Sequence, residues 1–186
     1  MTKVGVLALQ GDFREHLKVL AGLGANAFEV RTPAQLADAE ALVIPGGEST
    51  TISKLARSAD LVEPIITRTL DGMPVFGTCA GMIVMADRVI GGDPLLGLMD
   101  VTVVRNAYGR QIDSFEADLD VEGVDHPVRG AFIRAPQVRD VGPEVKVLAT
   151  HEGRPVVLEQ GNLIAASFHP ELSSDPGLHE FLLKKV

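Results

Sequence analysis

The chain has 186 residues, a formal net charge of -8, 46% hydrophobic residues, 19 Gly, few aromatics and one Cys. That length suits one domain, residues 1–186, with a continuous core, and the acidic balance argues against non-specific nucleic-acid binding, which needs clustered Lys and Arg to displace counterions. A single Cys excludes an intrachain disulfide and a C-x-x-C metal site. The first apolar run is too short for a signal-peptide core or a membrane span, so a cytosolic protein without membrane association is expected.

Val4 to Leu9 is an unbroken apolar run ending at Gln10-Gly11, the pattern of a parallel strand covered on both faces. Phe13, Leu17 and Leu20 then recur at helical spacing, with Gly24 as the stop. Ala27 to Val30 reads as a second strand, and Thr32-Pro33 opens a short helix. Ala41 to Ile44 is a third strand, cut by Pro45-Gly46-Gly47, with helices expected over Ser49 to Arg57 and Leu61 to Leu70. Pro74 to Phe76 is a fourth strand, and Gly77-Thr78-Cys79-Ala80-Gly81 leads into a helix expected to run through Asp87. Alternating strands and helices imply a parallel sheet with right-handed crossovers.

The second half changes character. Val101 to Arg105, Ser114 to Asp118, Ala131 to Arg134, Val145 to Thr150, Pro155 to Glu159 and Asn162 to Ser167 all read as extended, with Leu178 to Lys185 a closing helix. The expected fold is a single-domain α/β three-layer sandwich, with a mostly parallel, flavodoxin-like central sheet and an antiparallel or mixed extension of that same sheet.

Three segments carry chemistry. In Gly77-Thr78-Cys79-Ala80-Gly81 a strand turns sharply into a helix between small residues, the nucleophile-elbow arrangement with Cys in the Ser position. The helix start supplies unpaired N–H groups and positive potential, the setting of a reactive thiol, and the Ala80 amide is placed to hold an oxyanion. The pentapeptide also fits a buried structural Cys in a glycine turn. Phe168-His169-Pro170-Glu171 follows the last strand, so His169 can serve as a base and Glu171 can fix its tautomer. Read alone, His-Pro-Glu is a common surface turn, but carboxyl ends of parallel strands converge in space.

The third segment is Pro45-Gly46-Gly47-Glu48-Ser49-Thr50. Its glycines let backbone approach a substrate, Gly47 offers a second oxyanion amide, and Glu48 and Ser49 suit the polar groups of an amino acid. Ser49 or Thr50 as a plain helix N-cap is the competing reading. Arg105 and Arg134 each end an apolar run and suit a carboxylate, though each taken alone is more often a surface ion-pair residue. His16, His126, His151 and His179 show no metal-ligand spacing, so no metal is assigned.

Together these segments resemble the class I, triad-type glutamine amidotransferases. Within them the chain is similar nearly end to end to the family of glutaminase subunits of pyridoxal 5'-phosphate synthases. The matching motifs include Gly5 to Gly11, Arg14-Glu15-His16, Leu42 to Thr51, Phe76 to Gly81, Arg105-Asn106, Tyr108-Gly109-Arg110-Gln111, Asp113 to Glu116, Phe132 to Pro136 and Ser167 to Leu172. The resemblance implies hydrolysis of L-glutamine to glutamate and ammonia. The ammonia passes to a partner (β/α)8-barrel synthase subunit, for vitamin B6 synthesis in assemblies of twelve glutaminase and twelve synthase subunits. It implies no cofactor. It also implies Cys79 as nucleophile with His169 and Glu171 completing the triad, and glutamine contacts at Gly47, Glu48, Ser49, Arg105, Ile133 and Arg134. A stand-alone cysteine peptidase or γ-glutamyl hydrolase uses the same elbow. A redox or binding protein with a reactive Cys79 would leave His169 and Glu171 without a role.

Overall fold

The computed structural model describes residues 1–105 and 114–186. The motif residues Asn106, Tyr108 to Gln111 and Asp113 lie outside the described residues.

The first half alternates as the apolar runs predict. Strand β1 (Lys3–Leu7) is followed by α1 (Phe13–Gly22), β2 (Asn26–Val30), α2 (Pro33–Ala37) and β3 (Ala41–Ile44). Next come α3 (Ser49–Ser58), α4 (Val62–Leu70), β4 (Val75–Thr78) and α5 (Ala80–Met85). Local chemistry sets several of these boundaries. Thr32 accepts from the Gln35 amide while the Gln35 side chain reaches back, a capping box that starts α2 with Pro33 in its first turn.

The second half contains β5 (Ala86–Ile90), β6 (Met99–Val104), β7 (Phe115–Leu119), β8 (Val128–Phe132), β9 (Gln137–Val141), β10 (Lys146–His151), β11 (Arg154–Gln160), β12 (Leu163–Ala166) and α6 (Gly177–Leu183). Two expectations are corrected here. The helix after Cys79 stops at Met85, because Ala86 turns to extended geometry and starts β5 with Asp87 and Arg88 exposed. The later strands also do not all extend one sheet. Only β10, β11 and β12 join the central sheet; β6 pairs with β5 and β9, and β7 with β8, in two small separate sheets.

The central sheet has the order β10-β11-β12-β4-β3-β1-β2. Every neighbouring pair from β12 to β2 is parallel, and β11 runs against both of its neighbours. Side chains alternate between its two faces. Leu42, Ile44 and Val75 pack under Ile52, Ile65 and Met82 of α3, α4 and α5 and under Leu61, which caps α4. Val43, Phe76, Ile164 and Ala166 pack under Leu20 of α1 and Leu178 and Leu182 of α6. With helices on both faces, β3, β4 and β12 are buried throughout, which is why they read as continuous apolar runs.

Register brings the chemistry together. Ile44 pairs with Gly77, and Thr78 with Ala166, so three adjacent parallel strands end at one edge. The next residues are Pro45-Gly46-Gly47, Cys79 and Ser167-Phe168-His169. Among the described residues, no helix is long and apolar enough to cross a membrane.

Candidate active site

Cys79 sits between β4 and α5 with φ 49° and ψ -105°, a conformation L-residues avoid. Two contacts hold it there. Its N–H donates to the Ala166 carbonyl at 2.8 Å, and Gly81 passes so close to β3 that a Cβ would stand 2.1 Å from the Ile44 carbonyl oxygen. The thiol is nearly buried, 3.8 Å from the Ile133 carbonyl oxygen. The Ala80 amide opens α5 and so has no intrahelical acceptor.

His169 follows β12 and is clamped from both sides. Its backbone N–H donates to the Ala131 carbonyl at 2.8 Å, and its own carbonyl accepts from the Ala131 N–H at 3.2 Å. Its Nδ1 lies 2.7 Å from Glu171 Oε1, and Cys79 is its other hydrogen-bonding neighbour. Burial works against a charge on this ring. The hydrogen bonds and negative charges of Cys79 and Glu171 outweigh it and push His169 up to about 10. Glu171 is 1% exposed, so burial raises its pKa, opposed by the hydrogen bond and charge of His169.

The glycine loop is held from the β1–α1 turn. The Gly46 carbonyl accepts from the Asp12 N–H at 3.0 Å, and Gln10 Oε1 accepts from the Glu48 N–H at 2.8 Å. A Cβ on Gly46 would stand 2.2 Å from His169 Cε1, so the loop packs directly on the base. The helix cap is Glu48 rather than Ser49 or Thr50: its carboxylate accepts from the Thr50 N–H at 3.0 Å, the Thr51 N–H at 2.7 Å and the Thr51 hydroxyl at 2.7 Å. The Thr51 hydroxyl bond is the largest influence on Glu48, and with the backbone amides it overcomes partial desolvation to bring the pKa down to about 2. Arg105 donates to the same carboxylate at 3.1 Å and to Thr50 Oγ1 at 3.0 Å. This partly exposed pair orients more than it stabilises.

Gly47, Glu48, Ser49, Cys79, Ala80, Arg105, Ile133, Arg134 and His169 all line one cleft of about 360 Å³, and Glu171 stands behind His169. Every residue read as catalytic or as a glutamine contact is thus in or directly behind this cleft. Arg134 takes φ 48°, which sets the turn that aims the Ile133 carbonyl at the thiol. Gln10, Asp12 and Ile83 also line the cleft and were not singled out. The advance signals were the place of the first two just after the first strand and, for Gln10, its membership of the Gly5 to Gly11 motif. Asp12 Oδ2 is 3.5 Å from His169 Nδ1. Asp12, His169 and Glu171 offer ligand atoms within 4.8 Å of one another, but two of the three are the base and its orienter.

Residues 6–186 match the model of the SNO glutamine amidotransferase family. The chain belongs to that family. It is 55% identical over 185 residues to the pyridoxal 5'-phosphate synthase subunit PdxT of Pelotomaculum thermopropionicum, covering 98% of this chain and 94% of that one. It is 54% identical to the subunit of the same name from Nocardioides sp., covering 98% and 95%. Among solved structures, a glutamine amidotransferase superposes with a TM-score of 0.93 at 50% identity, covering 98% of this chain and 97% of that one. The PurLQS structure from Thermotoga maritima, at 18% identity and TM-score 0.75 over 98% of each chain, shares the fold.

Proposed function

We propose that this member of the glutamine amidotransferase family hydrolyses L-glutamine to L-glutamate and ammonia through a Cys79 thioester, as the glutaminase subunit of a pyridoxal 5'-phosphate synthase. One observation carries the reading: a strained elbow cysteine faces a histidine whose far nitrogen is 2.7 Å from a buried carboxylate. That is the relation of nucleophile, base and orienter that acyl transfer needs.

In this mechanism the Cys79 thiolate attacks the side-chain amide carbon of glutamine. The oxyanion is held by the Ala80 amide and the Gly47 amide. His169, charged at neutral pH, gives its proton to the departing nitrogen, and ammonia leaves a γ-glutamyl thioester. Water then donates a proton to His169 as its oxygen attacks the thioester. Collapse releases glutamate and regenerates the thiolate. Glu171 keeps the His169 ring oriented and compensates its charge in both steps. Arg105 and Arg134 suit the substrate α-carboxylate, and Glu48, Ser49 and the Ile133 backbone suit its remaining polar groups. Arg105 is already fixed by Glu48 and Thr50, so its guanidinium is oriented before substrate arrives.

The ammonia is handed to a (β/α)8-barrel synthase subunit in the cytoplasm, in an assembly of twelve glutaminase and twelve synthase subunits, each glutaminase being one domain over residues 1–186. The close relatives named as synthase subunits support this partner. The Gly46 carbonyl is engaged by the Asp12 amide, so turning the Gly46–Gly47 peptide requires breaking one backbone hydrogen bond. Losing one oxyanion donor typically lowers rate ~100- to 1000-fold, which is the range over which this peptide can set activity. Ammonia release from glutamine with and without the synthase subunit tests the reading. It is expected to rise sharply in the complex, and no release in either state would refute it.

A further inference from the structure

Behind the triad lies a pair of histidines that the mechanism above does not use. His16 of α1 and His179 of α6 are both fully buried, and His16 Nδ1 lies 2.8 Å from His179 Nε2. The other nitrogen of His16, Nε2, is 3.1 Å from Thr78 Oγ1 and 3.5 Å from Glu171 Oε1. Thr78 immediately precedes the nucleophile, and Glu171 orients the base. We propose that His16 is a positioning residue for the glutaminase reaction, holding Glu171 in its charged form and tying it to the Cys79 strand, with His179 setting the His16 tautomer. The proposal rests on the functional reading above.

The tautomers follow from a proton count. A neutral imidazole carries one N–H, so in the His16–His179 hydrogen bond one ring donates and the other accepts. If His16 Nδ1 donated, its Nε2 could accept from the Thr78 hydroxyl but would also turn a lone pair toward the Glu171 carboxylate 3.5 Å away, which is repulsive. If His179 Nε2 donates, His16 carries its proton on Nε2 and offers it to Thr78 Oγ1, with Glu171 Oε1 in electrostatic reach. The second arrangement leaves His179 Nδ1 as an unprotonated acceptor. Among the described residues, that atom has no hydrogen-bond partner, and an unpaired acceptor is a milder defect than an unpaired N–H. The Glu171 charge and the unbonded Nδ1 favour this arrangement, against the hydrogen-bonding pull of the Asp175 backbone, which favours a proton on that second His179 nitrogen.

Glu171 needs the help. Its Oε1 already accepts from His169, and among the described residues its buried Oε2 has no hydrogen-bond partner. The groups facing His16 are His179, Glu171, Thr78 and, more distantly, His169, while Asp175 acts on His179 and Asp12 on His169. Burial, and after it His179 and His169, lower the pKa of His16 well below the usual value, so it stays neutral. Its N–H then stabilises the Glu171 carboxylate as a fixed dipole and does not compete with His169 for a proton. The aromatic edge of Phe76 locks the pair: its ring stands at 90° to His16 and 88° to His179, with centroids 6.3 and 5.5 Å away.

The test uses the complex with the synthase subunit. His16→Leu removes the N–H and is expected to lower kcat ~10-fold or more with the KM for glutamine little changed. It should also move the acidic limb of the pH profile to higher pH, because the carboxylate loses a donor to its charged form. His16→Gln, whose amide reaches the place of Nε2, should recover most of the loss. A His16→Leu enzyme with unchanged kcat and acidic limb overturns the proposal, as does a His16→Gln enzyme no better than His16→Leu. Should either variant fail to fold, the imidazole nitrogens of the wild-type protein decide by NMR. Protons on Nε2 of both His16 and His179 are expected, and a proton on His16 Nδ1 overturns the assignment. Wild-type complex that releases no ammonia defeats the functional reading and the positioning role with it, whatever the tautomers.

Discussion

Replacing Gly46 by alanine puts a methyl carbon 2.2 Å from His169 Cε1, 2.9 Å from Nδ1 and 3.2 Å from Nε2. Comfortable carbon contacts begin at about 3.5 Å, so ring and loop must separate by roughly 1 Å or more. The ring has little room to retreat. It is 4% exposed, its Nδ1 is bonded to Glu171, and its backbone is paired with Ala131 in both directions. The loop is held equally firmly by the Asp12 and Gln10 bonds. Overpacking of this kind destabilises by about 1–3 kcal/mol, which for a chain of this size lowers Tm by roughly 2–12 °C. The catalytic effect is larger, because a misplacement of about 1 Å can lower rate by ~100-fold. Gly46→Ala in the synthase complex should therefore stay folded at 25 °C and lose about two orders of magnitude in glutamine hydrolysis. Thermal unfolding and an ammonia assay on one preparation separate the two effects. A folded variant within threefold of wild type would show that the loop does not seat the base as described.

Two further outcomes follow from the site. Glu48→Ala removes the cap of α3 and the partner of Arg105, and should lower stability by about 0.5–2 kcal/mol while raising the KM for glutamine. Urea unfolding and steady-state kinetics check both, and an unchanged KM would argue against an orienting role for the Glu48–Arg105 pair. Stability should also fall on either side of neutrality. His179 is held down to about 4 by burial, against an opposing pull from Asp175, so below the ordinary histidine value of 6.5 the unfolded chain takes up a proton that the folded one refuses. Its share of stability is full above about 6.5 and is lost on the way down to about 4, on the order of 3 kcal/mol. His169, raised to about 10, acts in the opposite sense: its share is complete below 6.5 and declines as pH rises toward 10. Denaturant unfolding from pH 4 to 10 should give a maximum near neutrality, and stability rising steadily toward acid would contradict these burial effects.

Much of the site was legible because it lies at strand ends. Ala41 to Ile44 is a strand wherever it is read, since buried parallel strands are apolar on both faces and the following Pro45-Gly46 cannot continue them. Cys79 and His169 were legible for the same reason: each directly follows such a run, and β4 and β12 turn out to be neighbours. The helix stop at Met85 was not legible, because Met82 to Ala86 is apolar without a break and carries no Gly or Pro. The separation of β5, β6 and β9 from the central sheet was hidden too, since pairing partners are distant in sequence. Glu48 was read as a substrate contact because a carboxylate at a helix start fits either role; three hydrogen bonds make it the cap as well. His16 was marked only by its place in the Arg14-Glu15-His16 motif and by an absent metal spacing, neither of which gives it a role. Its partners Thr78, Glu171 and His179 are brought to it by three other elements, which no local pattern announces.

The most direct measurement is ammonia release from glutamine by the complex of the synthase subunit with wild-type protein or with Cys79→Ala. The side chain removed is small and nearly buried, so the fold and partner binding should survive, as gel filtration of the complex would show. A Cys79 thioester mechanism predicts that the variant assembles with its partner and releases no ammonia above background. A correctly assembled Cys79→Ala complex that still hydrolyses glutamine would contradict it.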